Sequence, residues 1–387
     1  MAVVDSQGQR SHHTFEALPD LLKAGGVDGL WANDTKVLHA RILAKKATGG
    51  QLELFLLSPA NSTVEEALAA RGSVQWKAMV RKAKRWSDGT AVAIGQSHEL
   101  WVHELSTAAD GHRVLSLEWK SNHGLNSSFA EVLEDLGKTP LPPYMRRSAE
   151  LQDKVDYQTV FAMVPGSVAA PTAGLHYDDV LLEDLNAAGL TLNRLTLHVG
   201  AGTFKPLSEG EVMAHDMHAE RCVVNRSAIQ RMASQKVRVA TGTTALRTME
   251  SLFWWSLHWK VYGEWCSVLP QRCPYGDLAT KAQELEWSDH KALHGILNHA
   301  PWNEQGDVSF ETQLMIVPGY RIRMVQALVT NFHQPGSTLL CLVAAVVGMS
   351  GWKSLYEEAL DHGYRFLSYG DGSLLWLPQD APVDQTT

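Results

Sequence analysis

The sequence predicts an α/β protein interrupted by a small antiparallel β-barrel, and changes of texture carry that expectation. From about Thr159 onward the chain repeats strand, polar turn and helix, whereas between Arg41 and about Tyr144 it alternates short strands and turns with no long helix between them. A third observation is that the polar residues of the repeating part gather at the turns, where α/β architectures collect their ligands.

A chain of 387 residues with 45% apolar content can bury a large core and is expected to form two domains. No run of eighteen apolar residues occurs, and Met1-Ala-Val-Val-Asp lacks the charged start and apolar middle of a targeting segment. The expectation is therefore a soluble, cytoplasmic protein with no membrane partner. Cys222, Cys266, Cys273 and Cys341 are scattered without a C-x-x-C pair, so neither a disulfide framework nor a zinc site is indicated. The net charge of −8 argues against nonspecific coating of nucleic acid but leaves room for a local basic patch.

Taken in order, His12 to Leu22 reads as a short helix with Thr14 as its N-cap, ended by Gly25-Gly26. Leu30 to Leu38 is a strand crossing a polar tip at Asn33, Asp34, Thr35 and Lys36, for which an ordinary Asx-type turn is the plain account. Barrel strands follow at 51–57, 74–80, 92–94, 99–105 and 114–119. Within them, Arg71 to Trp86 holds Arg71, Lys77, Arg81, Lys82, Lys84 and Arg85 and no acidic residue. Such side chains beside Trp76 and Trp86 suit phosphate contact with base stacking, and they suit a solvated edge that discourages strand pairing as well. Leu141-Pro-Pro-Tyr-Met-Arg-Arg is a stiff connector back to the first domain, and Arg146 and Arg147 extend the basic surface.

Val168 to Glu220 organises the rest. Pro171, Thr172, Gly174 and His176 precede a helix with Leu181, Leu182 and Leu185 on one face, closed by Gly189. In the next strand Leu195, Leu197 and Val199 face one side and Arg194, Thr196 and His198 the other, until Gly200 and Gly202 end it. A Gly-rich turn of this kind exposes N–H donors to a close ligand, although ordinary turns share the pattern. Later units place Thr243, Thr244 and Arg247 after Val237–Ala240, and Asn331 and His333 after Val325–Thr330, ahead of an all-apolar helix. A Trp-rich excursion over 254–306 reads as packing. Tyr364 to Leu377 is strand-like, with Asp371 at its turn.

Nine stretches, taken together and in this order, resemble one family. They are Asn33-Asp-Thr-Lys-Val, Pro140-Leu-Pro-Pro-Tyr, Asp156-Tyr-Gln-Thr-Val-Phe-Ala, Ala170-Pro-Thr-Ala-Gly-Leu-His, Thr196-Leu-His-Val-Gly-Ala-Gly-Thr-Phe, His215-x-Met-His-x-Glu, Gly242-Thr-Thr-x-x-Arg-Thr-x-Glu-Ser, Thr330-Asn-Phe-His-x-Pro-x-Ser-Thr-Leu-Leu and Tyr364-Arg-Phe-x-Ser-Tyr-Gly-Asp. The family is that of the S-adenosylmethionine:tRNA ribosyltransferase-isomerases of queuosine synthesis. The resemblance implies an α/β-barrel-like large domain over 1–40 and 145–387 and an inserted small β-barrel over 41–144. It implies transfer and isomerisation of the ribosyl group of S-adenosylmethionine onto 7-aminomethyl-7-deazaguanine in a tRNA anticodon. Adenine and methionine leave, and epoxyqueuosine results. No metal or further cofactor is implied, and a monomer is expected. Family members usually begin with an additional N-terminal segment containing an Arg-Asp and Ser-Lys stretch, which has no counterpart here. Lys36 stands for the usual Arg, Tyr177 for a Phe, and Gly372-Ser373 for Ala-Met.

Such chemistry requires a base beside the sulfonium and a donor to the leaving adenine, roles that imidazoles and carboxylates fill near neutrality. His176, His198, His218, Glu220, His333 and Asp371 are the candidates, unranked, each with a structural hydrogen-bonding role as the alternative. Substrate contacts are expected at Asn33, Asp34, Thr35, Lys36, Pro171, Thr172, Gly174, Gly200, Gly202, Thr203 and Asn331, and at Thr243, Thr244 and Arg247, whose helix N-terminus suits the methionine carboxylate. Contacts to tRNA are expected at Arg81, Lys82, Lys84, Arg85, Arg146 and Arg147. A strand would put His215 on the face opposite His218 and Glu220, which argues against a metal there. Two rival classes are an impaired paralogue that only binds tRNA and a methyltransferase using the same donor. Gly200-Ala-Gly202 comes late in the chain and lacks the third glycine that the methyltransferase reading prefers.

Overall fold

Strand, turn and helix alternate along the chain around two large sheets and a parallel two-stranded one, the latter formed by residues 35–37 and 164–167. β1 (Ala2–Val4), β2 (Arg10–His12), α1 (Leu18–Ala24), β3 (Gly29–Asn33) and β4 (Thr35–Val37) come first. The strand-rich segment supplies β5 (Arg41–Lys46), β6 (Gln51–Pro59), α2 (Val64–Ala69), β7 (Ser73–Arg81), β8 (Thr90–Ile94), β9 (His98–Thr107), β10 (Arg113–Ser121), α3 (Phe129–Leu136) and β11 (Gly137–Lys138). After it come α4 (Asp153–Asp156), β12 (Val164–Ser167), α5 (Asp179–Ala187), β13 (Leu192–Leu197), β14 (Glu220–Asn225), α6 (Arg226–Ser234), β15 (Arg238–Thr241) and α7 (Thr243–Tyr262). The last elements are β16 (Val268–Leu269), α8 (Asp277–Glu284), α9 (Asp289–His299), β17 (Asp307–Thr312), β18 (Ala327–Asn331), α10 (Thr338–Val347), α11 (Met349–Asp361) and β19 (Gly372–Trp376). This computed structural model describes residues 1–378 apart from 85, 87–88, 109–110, 123, 125, 201 and 203–211.

The large sheet is mixed, with the order β16-β17-β14-β13-β3-β15-β18-β19-β1-β2. Its central strands β13, β3, β15 and β18 run parallel, so their carboxyl ends lie along one edge and the turns after them form one rim. β3 reads Gly-Leu-Trp-Ala-Asn and is buried at every position, as a parallel strand covered on both faces requires. α7 covers one face with Leu246, Met249, Leu252, Phe253, Trp254 and Trp255 fully or almost fully buried. It starts at Gly242, whose φ of +89° only glycine adopts without strain, and that bend aims the helix N-terminus at the rim.

The second sheet closes into an antiparallel barrel. β5, β6, β7, β10, β9 and β8 follow one another, and β8 returns to β5 through the pairs Lys45–Val92 and Lys46–Ala91. Alternation supplies its interior from Ile42, Leu52, Leu54, Ala78, Leu100, Val102, Leu115 and Leu117. Two short helices cap it, each opened by a capping box, Thr63 with Glu66 and Ser128 with Glu131.

Several expectations are corrected. The N-terminal helix begins at Leu18, because Arg10–His12 pair with β1 as a strand, and Thr14 makes no side-chain cap. Residues 159–163 form turns and the strand follows them at Val164. Trp76 and Trp86 present no surface for bases: they are 1% and 6% exposed in the barrel core, where Trp76 packs on Phe129. Trp254 lies in the middle of α7, so that helix runs from the rim into the Trp-rich stretch without a break. Of the terminal stretch, only 372–376 are a strand; Arg365 to Asp371 form a turn. No single helix among the described residues is long and apolar enough to cross a membrane.

Candidate active site

The rim turns enclose a pocket. Its walls come from Ala170–Ala173 after β12, Val199 after β13, Gly242–Thr244 and Arg247 at the start of α7, Thr330 near the end of β18, and His333 and Gln334 after it. Ser337 and Thr338 bring in the N-terminus of α10, capped by the Ser337 hydroxyl on the Leu340 amide. Two helix N-termini thus meet one cavity, an arrangement that favours anions. Leu314, Ile316, Leu339 and Leu342 supply an apolar wall.

Electrostatically the pocket floor is a buried ion pair. Arg247 Nη2 lies 2.5 Å from Glu220 Oε2, with the two side chains 11% and 5% exposed. Glu220 Oε1 accepts from the Gly200 amide at 2.9 Å, which ties the glycine turn to the same carboxylate. Arg247 Nε and Thr244 Oγ1 are buried and have no hydrogen-bond partner among the described residues. Buried polar atoms without partners are rare enough to demand a cause.

Of the six proton-transfer candidates, His333 lines the pocket. Its Nε2 lies 3.1 Å from Thr330 Oγ1, its amide donates to Tyr356 Oη, and burial pushes the imidazole down to about 4. Glu220 reaches the pocket through Arg247. His176 stacks on Phe15 at 4.5 Å and sits behind Asn331, and burial lowers its pKa. Asn331 Nδ2 donates to the carbonyls of Leu367 and Ser368, so Oδ1 accepts from His176 Nε2 and the proton is on that nitrogen.

His198 turns away from the pocket. Its Nδ1 is 3.0 Å from Thr35 Oγ1, which is 2.7 Å from Ser167 Oγ, and burial pushes the ring down to about 4. A Cβ on Gly166 would meet that ring at 2.5 Å. Asp371 caps its own turn by accepting from the Arg365 amide, and His218 is exposed with its ring over Gly202.

The Asn33–Lys36 stretch is a latch between strands. Asn33 exchanges both amide bonds with the Leu197 backbone, and Asp34 accepts from Thr196 Oγ1 at 2.7 Å, with burial raising its carboxyl. Lys36 points to solvent. Gly174 packs tightly against Phe161 and Thr159, while Pro171 and Thr172 line the pocket. Thr203 and Arg85 lie outside the described residues.

Beside the pocket, an open groove runs between barrel and large sheet. The pocket encloses about 130 Å³. The groove holds about 840 Å³ and is lined by Arg41, Lys77, Arg81, Arg146, Arg147, Gly200, Gly202 and His218. Arg41 pairs with Glu53 and Arg147 grips Asp153 with both terminal nitrogens, while Lys77, Arg81 and Arg146 have no carboxylate partner among the described residues. Lys82 and Lys84 are exposed outside the groove.

Sequence reasoning assigned no role to Tyr144, Tyr157, Met217, Ser337 or Ser368, which all line the pocket. A signal existed, since each lies within one of the nine stretches, and Tyr144 Oη meets Ser368 Oγ at 2.5 Å to join two of them.

A partly polar pocket at the carboxyl ends of parallel strands is the arrangement of an α/β enzyme. The chain belongs to the queuosine biosynthesis protein family, which matches residues 1–375. It is similar to the S-adenosylmethionine:tRNA ribosyltransferase-isomerase of Magnetococcus marinus, 37% identical over 94% of this chain and 83% of that protein. It is likewise similar to the protein of the same name from Anaeromyxobacter dehalogenans, 35% identical over 97% and 91%. A solved S-adenosylmethionine tRNA ribosyltransferase from Thermotoga maritima is 22% identical over 96% of this chain and 90% of that one, with a TM-score of 0.41.

Proposed function

We infer that the chain is an S-adenosylmethionine:tRNA ribosyltransferase-isomerase that takes its donor in the enclosed pocket and tRNA in the basic groove. The observation that carries this reading is the pair of unpartnered buried groups, Thr244 Oγ1 and Arg247 Nε, on the first turns of α7. The methionine carboxylate of the donor is an anion of the right size for a helix N-terminus, and it would satisfy both. Leu314, Ile316 and Leu342 then shield the adenosine from water.

His333 is held neutral near pH 7, so its imidazole takes the proton from the carbon beside the sulfonium, with Thr330 orienting the ring. The anticodon arm lies along Arg81 and Arg146, and the aminomethyl base enters past Gly200, Gly202 and His218 at the inner end of the groove. The reaction draws on no metal or further cofactor, and the protein acts as a cytoplasmic monomer of two domains, the barrel over 41–144 inserted in the remainder.

The test incubates the protein with S-adenosylmethionine and tRNA bearing 7-aminomethyl-7-deazaguanine. One adenine released per modified base is expected. Methyl transfer without adenine release would replace the reading with a methyltransferase, and tRNA binding without turnover would replace it with an impaired paralogue.

A further inference from the structure

None of the residues that face each other where α11 meets the N-terminal hairpin lines the pocket or the groove. His12 closes β2, and Glu358 and His362 stand one helical turn apart, so their side chains project on the same face of α11 and its end. One ligand atom from each of the three lies within 4.8 Å of the other two. The imidazoles of His12 and His362 stack at 4.2 Å with a 19° tilt. His12 Nε2 is 2.8 Å from Glu358 Oε1.

The surroundings are those of oriented metal ligands. His12 Nδ1 is held by Tyr364 Oη at 2.8 Å, and His362 Nδ1 by the Glu358 carbonyl at 2.9 Å, so each ring has an outer partner on one nitrogen. Arg10 holds the other carboxylate oxygen, Oε2, at 2.8 Å and leaves Oε1 to the imidazole. Ligand atoms around zinc, with bonds of about 2.0–2.1 Å, stand about 3.3 Å apart, so binding draws the three side chains together and turns the stacked rings until their nitrogens face one point.

We propose that His12, Glu358 and His362 bind one divalent transition-metal ion, zinc foremost, as a two-histidine, one-carboxylate site completed by water. Binding takes neutral His12 in the tautomer that carries its proton on Nδ1, so the ring gives up its Nε2 hydrogen bond to Glu358 Oε1 and donates from Nδ1 to Tyr364 Oη. The ion cross-links the N-terminal hairpin to α11, two parts of the chain separated by 346 residues. It has no part in the reaction inferred for the pocket.

The experiment is calorimetric titration of the full chain, stripped with chelator, with zinc alone. One equivalent binding at micromolar or tighter dissociation constant is expected, with a rise in melting temperature that added chelator reverses. Cobalt in place of zinc should develop the visible absorption of a tetrahedral nitrogen and oxygen site. His12→Gln and His362→Gln should each weaken zinc binding by about a thousandfold, above the 10–100-fold range typical of outer partners. Stoichiometric binding that survives in the double histidine variant would overturn the proposal, and so would binding of the parent only at millimolar zinc. A histidine variant whose metal-free melting temperature falls is replaced by Glu358→Gln, for which the same loss is expected. Adenine release plays no part in these readouts, so failure here and failure of the functional reading are separate results.

Discussion

The pocket and the groove handle charge in opposite ways. In the pocket, charge is buried and cancelled: Glu220 and Arg247 face each other almost out of solvent, and His333 is kept neutral by burial. In the groove, cations are solvated and in excess, with Lys77, Arg81 and Arg146 unpaired among the described residues. A buried charge that loses its partner destabilises the fold, whereas a solvated one mainly sets how association responds to salt. Substitutions in the two regions should therefore differ in kind as well as in size.

The largest effect is expected at the pocket floor. Arg247→Leu leaves the Glu220 carboxylate buried and uncompensated, at a cost of about 3–5 kcal/mol. For a chain of this length that lowers the melting temperature by roughly 5 °C. The double variant with Glu220→Gln should recover much of it. An unchanged melting temperature in the single variant would erase the distinction between the two regions.

His333→Gln comes next. It preserves a hydrogen-bonding side chain but removes a group able to exchange a proton, so turnover should fall by about a hundredfold or more. Donor affinity should stay near the parent's. His198→Gln sharpens the point, because His198 is bonded to Thr35 in the latch: stability should fall more than turnover. A large loss of rate without loss of stability at His198 would move the base out of the pocket.

Acidification gives a smaller effect of predictable sign. His198 and His333 have folded pKa values of about 4, below the ordinary imidazole value of 6.5. Between those values the unfolded chain binds protons that the folded chain does not, so stability present above pH 6.5 is lost as pH falls toward 4. Melting curves across that window should show the decline, and His198→Gln should make it shallower.

The smallest effect on the protein itself belongs to the groove. Arg81→Gln with Arg146→Gln should leave melting and donor affinity unchanged while lowering the salt slope of tRNA binding by about 1–2. Lys82→Gln with Lys84→Gln, outside the groove, should change that slope less. The reverse order would shift the tRNA path onto the outer face of the barrel.

Much of this architecture was legible because periodicity survives in the sequence. The barrel strands alternate cleanly, and the turns after β13, β15 and β18 carried their glycines and threonines where the rim requires them. Side-chain direction was less legible. Asn33 and Thr35 read as a polar tip, yet the pairing of β3 with β13, between residues 162 positions apart, brings Leu197 and His198 against them and buries both. His198 was expected at the rim for its face of the strand, and the same neighbours enclose it. The pocket is also lined by Tyr144, Tyr157 and Ser368, which membership in the nine stretches marks but which no periodicity places in one cavity.

The central claim is that chemistry and tRNA binding reside in separate, adjoining regions. Adenine release measured at saturating S-adenosylmethionine, over a range of tRNA and salt concentrations, tests it most directly when the parent is run beside His333→Gln and the Arg81, Arg146 double variant. The groove variant should regain parental turnover at high tRNA and low salt, and the pocket variant should remain slow under every condition. Rescue of His333→Gln by tRNA, or a groove variant that stays slow at saturation, would contradict the account.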